Sequence, residues 1–321
     1  MRMASFCLGL SVVLSSFGAQ AWSQDAAIAW AYPAAPEKMP LPELPPSVTF
    51  HVAGSPLTYT GGQLNEMEEP VDWLPANHPV PPDLVRHGAK DRGVEACGGC
   101  HGFEGQGFLN IPGLVGLKSP YIVEQLHEFA SGRRHSSVAA RPPELYMAGI
   151  AGKLSEAEIK AAAAYFSSIP KRRPFVRVVE TDTVPRTSAH HEGWQTVEPG
   201  GALEPIGRRV VLVAENFDQM WTGDPTAMAV AYVPRDAVEH GKTLVEHAGQ
   251  PCTSCHGATL KGIGAAPSLA GRNPQYLARA IWDIKSGARS GPATAPMQKP
   301  ASSLSADQIV DVVAYLASLA P

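Results

Sequence analysis

Apolar residues recur at helical spacing twice in this 321-residue chain. Ile159, Ala162, Ala163, Phe166 and Ile169 mark one such face, and Ile309, Val312, Val313, Leu316 and Leu319 mark another. Each run follows a capping signal, Leu154-Ser155-Glu156-Ala157-Glu158 in one case and Leu304-Ser305-Ala306-Asp307-Gln308 in the other. A serine N-cap with an acid or amide at the third helical position satisfies two orphan donors reciprocally. Pro-containing starts predict two further helices, near 121–131 and 276–286. Short strands are predicted at Val176–Glu180 and Val210–Ala214.

The paired helices belong to a duplication. Pro112 and Pro267, Leu114 and Leu269, Gly116 and Gly271, and Tyr121 and Tyr276 are each 155 positions apart. Ser131-Gly132 is repeated as Ser286-Gly287 at the same offset. The offset then falls to 150 for Met147 and Met297 and for Tyr165 and Tyr315. Upstream, Pro81-x-Asp83-x-Val85-x-His87-Gly88 returns as Pro234-x-Asp236-x-Val238-x-His240-Gly241, which predicts a first helix in each copy. Repetition on this scale implies two homologous domains, 80–171 and 235–321. Residues 22–79 are Pro-rich and acidic, with one Lys against seven Asp and Glu, and predict an extended strap over a domain surface. Residues 172–234 form a connector too long for a bare hinge, so it is expected to pack against the domains.

Residues 1–21 have the form of an export signal. Arg2 gives a positive start, Ala4 to Leu14 a short apolar core, and Ala19-Gln20-Ala21 a small-residue cleavage site. The core is short against the roughly 20 residues that span a bilayer, and no later segment is long or apolar enough. The mature chain is therefore expected to be soluble and exported, to a bacterial periplasm.

Four of the five cysteines fall in one pattern used twice, Cys97-Gly98-Gly99-Cys100-His101 and Cys252-Thr253-Ser254-Cys255-His256. This is the attachment signature of a c-type haem: two thiols on one helical turn add to one porphyrin, and the adjacent His reaches the iron. A zinc site would need two more ligands per motif, which the remaining Cys and His do not supply. A redox pair would need neither the His nor the repetition. Two covalent haem c groups are thus expected, with Cys97, Cys100, Cys252 and Cys255 as thioether attachments. His101 and His256 are each expected to supply one axial ligand. For the other, Met147 and Met297 occur at equivalent places, in stretches expected to be non-helical, and each is the only Met between its His and the end of its domain. A Met thioether raises the potential and closes the iron to small molecules. His127 and His135 have no counterparts in the second copy, and the adjacent His190-His191 is expected to be solvated. His87 and His240 are expected to be structural.

On these residues the chain resembles the diheme class I cytochromes c, two-domain periplasmic electron carriers. The resemblance implies a mainly α fold, two tandem domains each of a few helices around a covalent haem, with the strap and connector as irregular additions. It implies that the carbonyls of Pro112 and Pro267 accept the proximal imidazole N–H, which fixes the ring and raises its basicity. It further implies a helix crossing where Gly88 packs on Tyr165, and Gly241 on Tyr315. The implied role is single-electron transfer between periplasmic or membrane redox proteins, without enzymatic activity. Two alternatives are an electron-accepting subunit of a dehydrogenase and a diheme peroxidase with one open haem. A Met in both copies argues against the asymmetry a peroxidase needs.

The net charge of −4 is concentrated outside the haem domains. The first domain has ten Lys and Arg against nine acids, the second eight against six, and nothing indicates nucleic acid. Two unit charges about 20 Å apart at an effective dielectric of about 20 interact by about 0.8 kcal/mol. Spectroelectrochemical titration should therefore resolve two distinct reduction midpoints.

Overall fold

The computed structural model describes residues 27–33, 43–66, 69–138, 141–169, 173–247, 249 and 251–321. The expected export signal and Cys7 lie outside the described residues. No helix among those residues is long and apolar enough to cross a membrane. The strap carries a 3-10 turn at Ala29–Ala31 and then an antiparallel pair, β1 (Thr49–His51) and β2 (Thr58–Thr60), followed by the one-turn α1 (Gly61–Leu64). Thr60 and Gln63 form a reciprocal capping box there, so the strap holds more regular structure than its composition implies.

The first domain comprises α2 (Asp83–Arg86), α3 (Cys97–His101), α4 (Ser119–Ala130), α5 (Pro142–Ala151) and α6 (Glu156–Ser168). The connector carries β3 (Val176–Glu180), β4 (Thr183–Pro185), β5 (Thr187–Ala189), β6 (Gln195–Val197), β7 (Leu203–Pro205), β8 (Val211–Ala214), α7 (Phe217–Trp221) and β9 (Ala229–Val233). The second domain comprises α8 (Ala237–His247), α9 (Thr253–His256), α10 (Pro274–Lys285), α11 (Ala295–Ser303) and α12 (Ala306–Ser318). Both expected capping boxes are present, Ser155 with Glu158 and Ser305 with Gln308.

The connector is not irregular. Strand β9 is the middle strand of a three-stranded sheet, parallel to β3 and antiparallel to β8. Its Ala-Val-Ala-Tyr-Val sequence is almost wholly buried, as a strand covered on both faces requires. Strands β3 and β8 fall where short strands are predicted, at 176–180 and within 210–214, whereas β4 to β7, of three residues each, are too short to display a readable alternation. His190 is also not solvated: it is buried, stacked on Trp194 at 3.8 Å, with Nε2 3.2 Å from Thr196 Oγ1.

One apolar core joins the second domain, the connector sheet and residues 28–32 of the strap, through Ile309, Val313, Leu212, Ala231, Val245 and Ile28, and takes in Leu109 of the first domain. The first domain has a separate core around Val85, Phe103, Ile122 and Phe166. The strap bridges the two domains: Tyr32 donates to Asp283 Oδ1 at 2.7 Å and accepts from Ser137 at 3.0 Å. Trp73 Nε1 in the strap donates to Thr222 O in the connector at 2.9 Å.

The expected helix crossing exists in one copy. In the second domain Gly241 lets α8 lie against α12; a Cβ there would strike the Asp311 carbonyl and come within 2.8 Å of Tyr315 Cβ. In the first domain the helix ends after four residues, and Gly88 turns at φ +69° against the Val94–Ala96 backbone. Gly88 therefore does not serve as the counterpart of Gly241. Gly93, also left-handed, closes the next turn, whereas the second copy continues with Thr243-Leu244-Val245 on a helical face. His87 pairs with Glu69 at the surface.

Tyr165 is used differently as a result. Its hydroxyl donates to Phe103 O at 2.8 Å and lies 2.9 Å from Nδ1 of the strap residue His78. His78 Nδ1 also lies 2.9 Å from Pro79 O, and Nε2 lies 3.2 Å from Asp72 Oδ1. Every partner is an acceptor toward the ring, so the geometry selects the doubly protonated imidazolium. Burial opposes that form, but Asp72 and the Pro79 carbonyl outweigh it and raise the pKa.

Substituting Gly241 with Val should cost about 2 kcal/mol or more by denaturant unfolding, because the crossing cannot open without losing core contacts. His78 gives a pH prediction. Its folded pKa is raised, so its stabilisation is complete below the ordinary histidine value of about 6.5 and is lost as pH rises through the raised value. The stability difference between wild type and His78→Gln should shrink over that interval.

Candidate haem sites

Each Cys-x-x-Cys-His motif closes on one short helix turn, α3 and α9, and ends at a glycine with positive φ, Gly102 and Gly257. Both histidines are buried. His101 Nδ1 donates to Pro112 O at 2.9 Å, and His256 Nδ1 donates to Pro267 O at 2.8 Å. The intervening loops fold alike. Gly107 N bonds to His101 O, and Gly262 N to His256 O. A Cβ at Gly107 would meet Ile111 O at 2.5 Å, and one at Gly262 would meet Ala266 O at 2.7 Å. Those glycines let the chain double back far enough for the proline carbonyl to reach the ring.

Burial pushes both imidazole pKa values down, only partly opposed by the carbonyl hydrogen bond. Both rings are therefore neutral, with Nδ1 as donor and the Nε2 lone pair available to a metal. Three of the four thiols are partly shielded, and Cys255 is exposed. Burial, then Cys100, push Cys97 up to about 12; burial and Glu95 push Cys100 up to about 11; burial raises Cys252. Among the described residues no three His, Cys, Asp or Glu side chains converge as a metal-binding group. Apolar, protonated thiols suit the wall of a porphyrin cleft better than a thiolate site for zinc.

Met147 and Met297 lie on helices α5 and α11, both partly buried, and not in non-helical stretches. Prolines at the start of each helix, Pro142-Pro143 and Pro296, are compatible with a first turn, where no N–H is needed. Helix α5 packs on α4, and α11 on α10. His127 is at the surface, 2.9 Å from Glu156 Oε2.

Sequence reading missed the cationic seam between the domains. Arg134 and Arg289 are joined by an antiparallel bridge, extended by His135 N to Ala288 O and Ser290 N to Arg133 O. Each arginine reaches across to the other domain's tyrosine: Arg289 Nη2 to Tyr121 OH at 2.9 Å, and Arg134 Nη2 to Tyr276 OH at 3.3 Å. Both also donate to Gln125 Oε1. The signal was present, since Arg134 and Arg289 follow the repeated Ser-Gly pairs by two residues at the same offset. Burial opposes ionisation of Tyr276, yet Arg134, Arg289 and Arg272 outweigh it and bring its pKa down to about 8. Arg289 Nε is buried without a hydrogen-bond partner. An excess of buried positive charge with an orphaned donor fits a group that brings its own anions, as haem does with its propionates.

The family described as Cytochrome c matches residues 87–170 and 238–320. The chain is 26% identical over 228 residues to cytochrome c4 of Pseudomonas aeruginosa, covering 70% of this chain and 83% of that protein. It is 26% identical over 227 residues to a thiosulfate dehydrogenase electron acceptor of Thiomonas intermedia, covering 70% of this chain and 78% of that one. Among solved structures, thiosulfate dehydrogenase (TsdBA) from Marichromatium purpuratum aligns with a TM-score of 0.49 at 25% identity, over 74% of this chain and 39% of that one. With two matches spanning more than half of its length, the chain belongs to the cytochrome c family, as a member with one covalent haem c for each matched domain.

Proposed function

We infer that the chain carries single electrons between periplasmic redox proteins through His/Met-ligated haems. The haem domains are taken as 80–171 and 235–321, with 1–21 as a removable export signal, 22–79 as strap and 172–234 as connector. Cys97 and Cys100 attach one haem, and Cys252 and Cys255 the other. His101 with Met147, and His256 with Met297, are the axial pairs. The observation that carries this reading is the pair of buried, neutral imidazoles, each held by a proline carbonyl at Nδ1.

When bound, the haem iron supplies the ferric–ferrous couple, with a potential set by axial ligands, burial and nearby charge. The chain's residues do the rest. Pro112 and Pro267 fix the ring orientation and raise the basicity of Nε2. Arg134, Arg289, Tyr121, Tyr276 and Gln125 offer donors for propionate oxygens at the seam. The carrier reading is preferred over a peroxidase because both copies build the same proximal loop and both place a Met on an equivalent helix. A second reading, an electron-accepting partner of a dehydrogenase, is supported by the name of the Thiomonas relative and by the added strap and connector.

The reduced protein, with haem quantified per chain, should show a visible spectrum unchanged by carbon monoxide. Met147→Ala should then let one haem bind carbon monoxide and lower its midpoint, leaving the other unaltered. Prompt binding by the wild type would instead favour the peroxidase.

A further inference from the structure

Arg272 stands on the second-domain side of the interface, just before α10, and its side chain is buried. Its Nε donates to Ser268 O at 2.8 Å, and one Nη2 bond reaches Ser268 Oγ at 2.7 Å. Across the interface, Nη1 donates to Gly113 O at 2.7 Å and Nη2 to Val115 O at 3.2 Å. Gly113 directly follows Pro112, and Ser268 directly follows Pro267. One guanidinium therefore grips the peptide next to each of the two carbonyls that hold a proximal histidine.

We propose that Arg272 is a positioning residue shared by both haems, clamping the two proximal loops together and placing one positive charge between them. The inference rests on the axial assignment given above. Lys could not take this place: four hydrogen bonds to acceptors on two loops need the planar fork of a guanidinium. All four acceptors are uncharged, and none of these hydrogen bonds goes to a carboxylate. The ionisable groups that act on it are the phenols of Tyr276 and Tyr121, with no carboxylate among them. The device is one-sided, because the equivalent position in the first domain is Leu117, which is buried in the apolar core. A buried cation favours the electron-loaded state of any redox centre near it, here both.

The test compares Arg272→Gln, which keeps a donor but removes charge and fork, with Arg272→Lys, which keeps only charge. Gln275→Ala serves as the control: it is a buried residue on α10 whose side chain bonds to Trp30 O and Gln195 and not to either proximal loop. Midpoints come from spectroelectrochemistry, and proximal geometry from the paramagnetically shifted imidazole N–H resonances of the oxidised protein. Arg272→Gln should lower both midpoints and move both N–H resonances. Arg272→Lys should move both resonances with the smaller change in midpoints, and Gln275→Ala should move neither. A response confined to one haem, or absent from both, overturns the shared clamp. Should the variants fail to fold, wild-type guanidinium resonances decide it: Arg272 should shift in two steps as the haems are oxidised in turn, and a single step overturns it. Carbon monoxide insensitivity of the wild type tests the axial assignment separately, so the two failures are distinguishable.

Discussion

One hydrogen bond in each domain decides what its buried histidine can be. With Nδ1–H committed to a proline carbonyl, the ring cannot turn, cannot change tautomer and presents a single lone pair at Nε2. The conditions for that bond extend outward through the domain. The carbonyl must be delivered by an eleven-residue loop, and the loop doubles back only because Gly107 and Gly262 leave no Cβ against the returning backbone. Its return leg is fixed by paired N–H groups, Leu114 and Val115 to Gly105 O in one copy, Leu269 and Ala270 to Leu260 O in the other. Leu260 accepts a positive φ of 56° to do what Gly105 does freely, so the loop geometry outranks local backbone preference.

Around this repeated centre the copies have diverged in how they are supported. The second domain keeps the close glycine crossing of its first and last helices and merges its core with the connector sheet. The first domain has lost that crossing. Its terminal helix is instead steadied through Tyr165, which ties the Phe103 carbonyl, two residues past His101, to the buried imidazole of His78 from the strap. The added segments thus replace support that a shortened helix no longer gives.

The parts visible in the sequence were those with a local signature. Capping boxes at Ser155 and Ser305 and the helical spacing behind them depend on neighbours a few residues away, so they could be read directly. The Cys-x-x-Cys-His pentapeptides are equally local. What could not be read depends on partners far along the chain: the burial of β9, the stacking of His190 on Trp194, and the position of His78 against Tyr165, 87 residues on. The failure at Gly88 is instructive. The matched pattern around Gly88 and Gly241 is real, but the residues after it, Lys90 to Gly93 against Lys242 to Val245, carry turn chemistry in one copy and a helical face in the other.

The same long-range contacts settle how the two centres relate to each other. A 63-residue segment between domains would allow free rotation if it were a linker, but here it is sheet fused to the second core. The first domain is held to that body by an apolar foot, Leu109 in the shared core with Phe108 against Trp194 and Trp221, and by polar contacts of strict geometry: an antiparallel bridge at Arg134 and Arg289, the Arg272 fork, and Tyr32 between Ser137 and Asp283. Directional bonds of this kind resist sliding in a way that an apolar contact of the same area does not. Nearly all of them converge on segments adjoining the proximal loops and mid-domain helices, the parts that orient the imidazoles. Rigidity is thus concentrated where the separation and mutual tilt of two redox centres would be set, and the surplus of buried cationic donors at that seam suits it to anionic groups.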